Sequence, residues 1–240
     1  MVYYFKAKAE ENDENQEYND FGADIADEDD ADSREYIIYM GKDKIENDPL
    51  IKHSNKKNIW FHVDNHSSAH LYLQITKDEH INFKSFDKFV INPSILQQVC
   101  QLTKANSIKG NKLNNVTVIY TPVDNLHTDG SMDIGTVTFK NAKQVKRLKI
   151  TKRENAIINK LNKTKYEISI DEFKQQQVTF EKDIENERRR LEKEQEQLNK
   201  IYEKNRKDKL DPYADLFTED NVNQSSNEYR NENWAEDDFM

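Results

Sequence analysis

Residues 58–75 read NIWFHVDNHSSAHLYLQI, and their alternation decides the fold. Side chains of a strand point to opposite faces in turn. Ile59, Phe61 and Val63 therefore share one face, and Trp60, His62 and Asp64 the other. The second half repeats the pattern, with Leu71, Leu73 and Ile75 opposite His70, Tyr72 and Gln74. Paired as a hairpin across Asn65–Ala69, the two runs give one apolar face and one that gathers Trp60, His62, His70 and Tyr72. Rings with polar tips on an open sheet face form a platform for stacked bases or a partner peptide. The competing reading buries Trp60 and the histidines under a helix with their polar atoms satisfied.

Outward from this hairpin the chain reads as α+β. VYYF (2–5) and YIIYM (36–40) are short strands, separated by an acidic arm at about 9–33 that has little to bury and is expected to be disordered. Asn47-Asp48-Pro49-Leu50 starts a short helix. Asn92-Pro93 opens a clearer one running to about Asn106, with Ile95, Leu96, Val99, Leu102 and Thr103 as its buried stripe and Cys100 beside it. NVTVIYTP (115–122), 136–139 and 145–151 read as further strands, with a polar loop over 124–133. From 151 the pattern turns helical: a short helix over 152–163, then a long charged one over about 171–210 that Pro212 ends. Ile184, Leu191 and Leu198 recur every seven residues, but the paired seam of Phe173, Phe180, Glu187, Glu194 and Ile201 has two charged members, which makes a weak coiled coil. The expected organisation is a folded domain over 1–150, a helical extension over 151–212 and a disordered acidic tail over 213–240.

Charge is segregated. The net charge of -9 divides into -10 over residues 1–35, +6 over 36–150, +2 over 151–212 and -7 over 213–240. A basic folded middle thus stands between acidic ends, which favours anionic partners. Lys104, Lys109 and Lys112 sit at the end of the second helix and in the loop after it. Lys140, Lys143, Lys146, Arg147 and Lys149 follow the 136–139 strand, and Lys52, Lys56 and Lys57 precede Trp60. Lysines flanking an aromatic face suit phosphate contacts combined with stacking.

Several chemistries lack their residues. There is no phosphate loop, dinucleotide glycine fingerprint or nucleophile elbow, and five glycines leave little material for one. His62, His66 and His70 are four apart, but on strands His66 falls in the turn and only Asp64 is a nearby carboxylate, so neither a metal nor a cofactor is expected. One cysteine permits no internal disulfide and fits a reducing compartment. No apolar run reaches the roughly 18–20 residues of a membrane span, and the start lacks a secretory pattern. A cytoplasmic place, with the nucleus open to it and any membrane association peripheral, is the expectation.

IWFHV, SSAHLYL, LTKANS, NNVTVIYTPVDNL and MDIGTVTF stand in an order that resembles the NFACT-R domain of ribosome-quality-control NFACT proteins. The start VYYF, the run IYMGKDKIENDPLIK, the charged helix and the ending DDFM resemble its small stand-alone branch, the coiled-coil domain-containing protein 25 family. The resemblance covers about 1–6 and 35–210. It implies an α+β RNA-binding-type domain with a helical extension and no catalytic activity. Trp60, His62, His70, Ser107 and Tyr120 match the motif positions. The wider family's Gly-Ser-His stands here as Ser68, Ala69 and His70, with the glycine lost. The reading is a non-enzymatic nucleic-acid-binding protein, with RNA (tRNA or ribosome-linked) first and DNA second. Trp60, His62, His70 and Tyr72 meet the ligand, and lysines anchor its phosphates. The alternative is an adaptor whose long helix completes its seam with a protein partner.

Overall fold

The computed structural model describes residues 1–9, 35–129, 132–133 and 135–210, the last four without side-chain detail. Most of the acidic arm and the whole acidic tail lie outside the described residues. The chain divides into two compact units, Met1–Glu185 and Asn186–Met240.

Seven antiparallel strands form the main sheet of the first unit. In chain order they are β1 (Val2–Lys8), β2 (Glu35–Gly41), β3 (Ile59–Val63), β4 (Leu71–Gln74), β5 (Val116–Pro122), β8 (Lys146–Ile150) and β9 (Tyr166–Ile168), with β6 (Leu126–His127) and β7 (Thr138–Phe139) pairing apart as a small ribbon. Across the sheet the order is β8-β5-β3-β4-β2-β1-β9. The hairpin stands at its centre, with Ile59 opposite Leu73, Trp60 opposite Tyr72 and Phe61 opposite Leu71. Asn65 takes φ 60 in its turn, a left-handed conformation that asparagine tolerates better than most residues.

Helices α3 (Pro93–Ala105) and α4 (Asn155–Lys163) cover one face of the sheet. Ile95, Val99, Cys100, Leu102 and Leu161 pack there on Phe5, Ile38, Ile59, Phe61, Leu71 and Leu73. Pro93 sits in the first turn of α3, and the Asn92 side chain accepts from Ser94 N at 2.9 Å, so the start read from Asn-Pro is a capped one. Cys100 is buried in this core, and burial pushes its thiol well up.

The other face is covered as well. Helix α1 (Asn47–His53) and the first turns of α5 (Ile170–Leu210) lie over it with the β6–β7 ribbon, and Leu50, Phe173, Leu126 and Ile168 pack on Tyr4, Tyr39, Trp60 and Tyr72. Tyr39 and Tyr72 stack at 5.0 Å with planes 3° apart, and Phe173 meets Tyr39 at 5.2 Å. Phe173 and Phe180 were expected in a coiled-coil seam. Instead Phe173 is fully buried in this core and Phe180 meets His80 edge-on at 6.1 Å. The first turns of α5 thus complete the sheet's second layer.

The first unit runs past 150, where the pattern turns helical, because α4, β9 and those α5 turns all cover or extend the sheet. Several elements are additional to the sequence reading. Helix α2 (Lys77–Asn82) is set by a capping box, in which Thr76 accepts from Glu79 N and Glu79 from Thr76 N. Strand β9 exists through pairing of Val2, Tyr3 and Tyr4 with Ile168, Glu167 and Tyr166. The polar loop over 124–133 begins with a 3-10 turn at Val123–Asn125 and then β6.

Candidate nucleic-acid interface

The burial of the second face corrects the open-platform reading. Trp60 is 1% exposed and Tyr72 is fully buried, so neither offers a free ring face. Nothing in the alternation of 58–75 says what covers a face, and the cover comes from three separate elements, α1 before the hairpin and the β6–β7 ribbon and α5 well after it. The competing reading, rings under a helix, describes most of the face. Its clause about satisfied polar atoms does not hold, because Trp60 Nε1, His70 Nδ1 and Tyr72 OH are buried without a hydrogen-bond partner among the described residues.

The cover ends at the histidines. His62 stacks flat on Trp60 (5.5 Å, 2°), and His70 stands edge-on to both, 5.1 Å from Trp60 and 5.2 Å from His62. Both line a cavity of about 450 Å³. Its walls are Ser67 and Ser68 of the β3–β4 turn, Lys42 and Lys44 of the β2–α1 turn, Asn47 of α1 and Ile108 beyond α3. Burial and the neighbouring His62 hold His70 down at about 3, and burial also lowers His62. Two neutral imidazoles therefore line this wall at neutral pH, each able to give and take a hydrogen bond.

Ser107 and Lys104 build the cavity rather than line it. The Ser107 hydroxyl donates to Ser67 O at 2.8 Å and accepts from Gly110 N at 3.0 Å. Ile108 N donates to Ser67 O and Ala69 N to Asn106 O, tying the β3–β4 turn to the end of α3. A Cβ on Gly110 would meet Ser107 Oγ at 2.8 Å, so this position needs glycine for close approach. Lys104 is buried, with Nζ donating to Gly110 O at 2.8 Å and to Leu113 O. Its expected phosphate contact gives way to closing the loop. That loop presents Ile108, 78% exposed, together with exposed Lys109 and Lys112.

Tyr120 does not join the cavity. It pairs with Phe61 and stacks on it at 5.4 Å, on the α3 side of the sheet. Lys146 is also spoken for, with Nζ 4.4 Å over the Phe86 ring and donating to Phe86 O and Phe89 O.

Register supplies what the sequence reading did not assemble. His62 pairs with Ile119 and Ile119 with Arg147; Thr117 pairs with Lys149. These side chains share the second face beyond its helical cover, with Arg147 and Lys149 exposed. Arg147 Nε lies 3.8 Å from Asp64. A cationic shelf thus begins at His62, where the cavity opens. Asn47 enters the sequence reading only as a helix start, and Lys42 and Lys44 only inside the run IYMGKDKIENDPLIK. No period-based signal marks them, because a turn's position over a pocket is a tertiary fact.

Among the described residues no group of three His, Cys, Asp or Glu could hold a metal, and no helix is long and apolar enough to cross a membrane.

Comparison with known proteins gives the class first. The sequence pattern of the NFACT protein RNA binding domain matches residues 27–141. Over 135 residues the chain is 47% identical to coiled-coil domain-containing protein 25 of Mus musculus, covering 56% of this chain and 62% of that protein. Over 137 residues it is 41% identical to the coiled-coil domain-containing protein 25 homolog of Dictyostelium discoideum (57% and 63%). Over 198 residues it is 37% identical to Protein JLP2 of Saccharomyces cerevisiae (78% and 92%). The chain belongs to the coiled-coil domain-containing protein 25 family of NFACT-R domain proteins. Its alignments with the mouse and Dictyostelium relatives span about three fifths of their length. The names are those of an RNA-binding domain and of coiled-coil proteins, and none is that of an enzyme.

Proposed function

We propose that the chain binds RNA without catalysis, through the histidine-walled cavity and the shelf that leaves it. The observation that carries this reading is the register that lines Arg147 up with His62 through Ile119 and sets Lys149 on the same face two residues on, two exposed cations on the face where neutral imidazoles wall a cavity. The family's RNA-binding description supports it. In this reading Arg147, Lys149, Lys109 and Lys112 hold phosphates. His62 and His70 hydrogen-bond to a base edge or ribose hydroxyl inside the cavity. Trp60 contributes as the ring His62 stacks on, and Tyr72 as the buried residue opposite Trp60. Ligands to compare are tRNA, single-stranded RNA and duplex DNA, in a cytoplasmic or nuclear setting.

The test is binding of labelled tRNA, single-stranded RNA and duplex DNA to the full chain across a salt series, beside an Arg147→Gln/Lys149→Gln variant. The expected result is binding that falls with salt and weakens at least tenfold in the variant. Equal binding by the variant overturns this assignment of the interface.

A second reading rests on α5. Leu191, Leu198 and Ile201 are 40%, 54% and 58% exposed, an apolar strip on an otherwise charged helix. A partner helix, from a second copy or another protein, would cover it. Sedimentation of the full chain beside a Leu191→Glu/Leu198→Glu variant checks the self-association form: a dimer that becomes a monomer supports it, and a monomer in both cases rejects it.

A further inference from the structure

A second cavity, of about 330 Å³, lies between the end of α1, the 123–126 segment, Lys140 and the early turns of α5. Three separate stretches of chain bring four lysines to it: Lys52 and Lys56 from the end of α1 and just beyond, Lys140 after β7, and Lys174 from α5. Two carboxylates share the lining. Asp124 lies 3.7 Å from Lys140, which also donates to its carbonyl, and Glu181 accepts from Asn55 Nδ2 at 3.3 Å. Lys174 pairs with exposed Asp171 at 3.2 Å. No carboxylate pairs with Lys52 or Lys56 among the described residues, so the cavity keeps an excess of positive charge. His53, on its wall, registers that excess: burial lowers its proton affinity first, and Lys174 and Lys52 lower it further.

The rest of the lining is apolar. Ile51, Val123, Leu126 and Val178 supply a hydrophobic wall beside the lysines. The volume falls at the lower end of the roughly 300–1,000 Å³ common for small-molecule sites. The cavity is also separate from the histidine-walled one. Between them along α1 lies a third hollow that shares Ile51 and Lys52 with the lysine cavity and carries Asp48, Asp129 and Asp133, whose net negative charge opposes a phosphate backbone running from one to the other.

We propose that this cavity is a binding site for a small organic phosphate of about mononucleotide size, with the phosphate among Lys52, Lys56 and Lys174 and the organic part against the apolar wall. A bound ligand bridges α1, the 123–126 segment and the beginning of α5, and so stiffens the attachment of α5 to the sheet. The site does not depend on the RNA reading, since it uses none of the residues of the interface described above.

His53 is a built-in reporter. The experiment is NMR titration of its ring in the full chain, free and with adenosine 5′-monophosphate, adenosine or inorganic phosphate, with affinities from calorimetry. The expected result is saturable binding of the monophosphate, an upward shift of the His53 titration when it is bound, and much weaker binding of both adenosine and phosphate. Lys52→Gln/Lys174→Gln, checked for folding by far-UV circular dichroism, should raise Kd at least tenfold, with Lys56→Gln as the milder variant should the double one unfold. An unmoved His53 titration, or unchanged affinity in the folded lysine variant, overturns the proposal. Phosphate binding as tightly as the monophosphate overturns the organic part. Loss of binding in Arg147→Gln/Lys149→Gln instead would transfer the ligand to the RNA interface and equally overturn it.

Discussion

Ser107 shows how a single hydroxyl shapes the cavity. It joins the carbonyl of Ser67 to the amide of Gly110 and so fixes the β3–β4 turn against the end of α3. Ser107→Ala leaves a buried amide without its acceptor, at a cost of about 1–3 kcal/mol. Urea unfolding should show that loss, and an unchanged midpoint would show the turn held by its backbone bonds alone. Two histidines set the acid side of stability. His80, whose Nε2 lies 2.7 Å from Asn55 Oδ1, is held at about 4 by burial first and then by Lys57, and His70 is held at about 3. Both are depressed below the ordinary 6.5, so the unfolded chain takes up their protons first as pH falls. Their stabilisation is complete above about 6.5 and is lost between there and their folded values. At pH 5 each should have given up roughly 1–2 kcal/mol. In unfolding measured at pH 7 and pH 5, His80→Gln should shrink the difference, and a variant with the wild-type difference would contradict this origin.

At the scale of elements, the attachment of α5 is the least local feature of the fold. Phe173 fills the space over Tyr39, Gln177 donates to Gln74 and accepts from Asn55 N, and Lys77 pairs with Asp183 at 2.8 Å. Phe173→Ala should cost about 3–5 kcal/mol, as truncations of buried aromatic rings do. The first turns of α5 should then exchange amide hydrogens faster than α3, and equal protection would show the helix held by its polar contacts. The hairpin and α3 were legible in the sequence because their signals are local: a period of two on both sides of a turn, and an Asn-Pro start before an apolar stripe. Helix α2 had an equally local signal in Thr76 and Glu79. Strand β9 had none, since three residues become a strand only beside β1. The candidate site was legible in part. Alternation put His62 and His70 on one face and Trp60 and Tyr72 with them, but it does not tell a covered row from an open one. The same alternation places Tyr120 with Val116 and Val118, away from His62, which the motif match alone did not reveal.

Over the whole molecule, charge separates what the fold uses from what it leaves for a ligand. Lys104 and Lys146 hold carbonyls of their own chain. Arg147, Lys149, Lys109 and Lys112 are exposed, Arg147 in line with His62 across the sheet and Lys109 next to Ile108 of the cavity wall. Phosphate contacts by such residues make affinity fall with salt, by about 0.7 in the logarithmic slope for each contact on a single strand. The most direct measurement is therefore the salt dependence of single-stranded RNA binding by the full chain and by Arg147→Gln/Lys149→Gln, both checked for folding. The account predicts steep dependence for the wild type, and for the variant a slope shallower by about 0.7 for each cation removed. Coincident slopes and affinities would contradict it, and would move the interface away from the histidine-walled cavity.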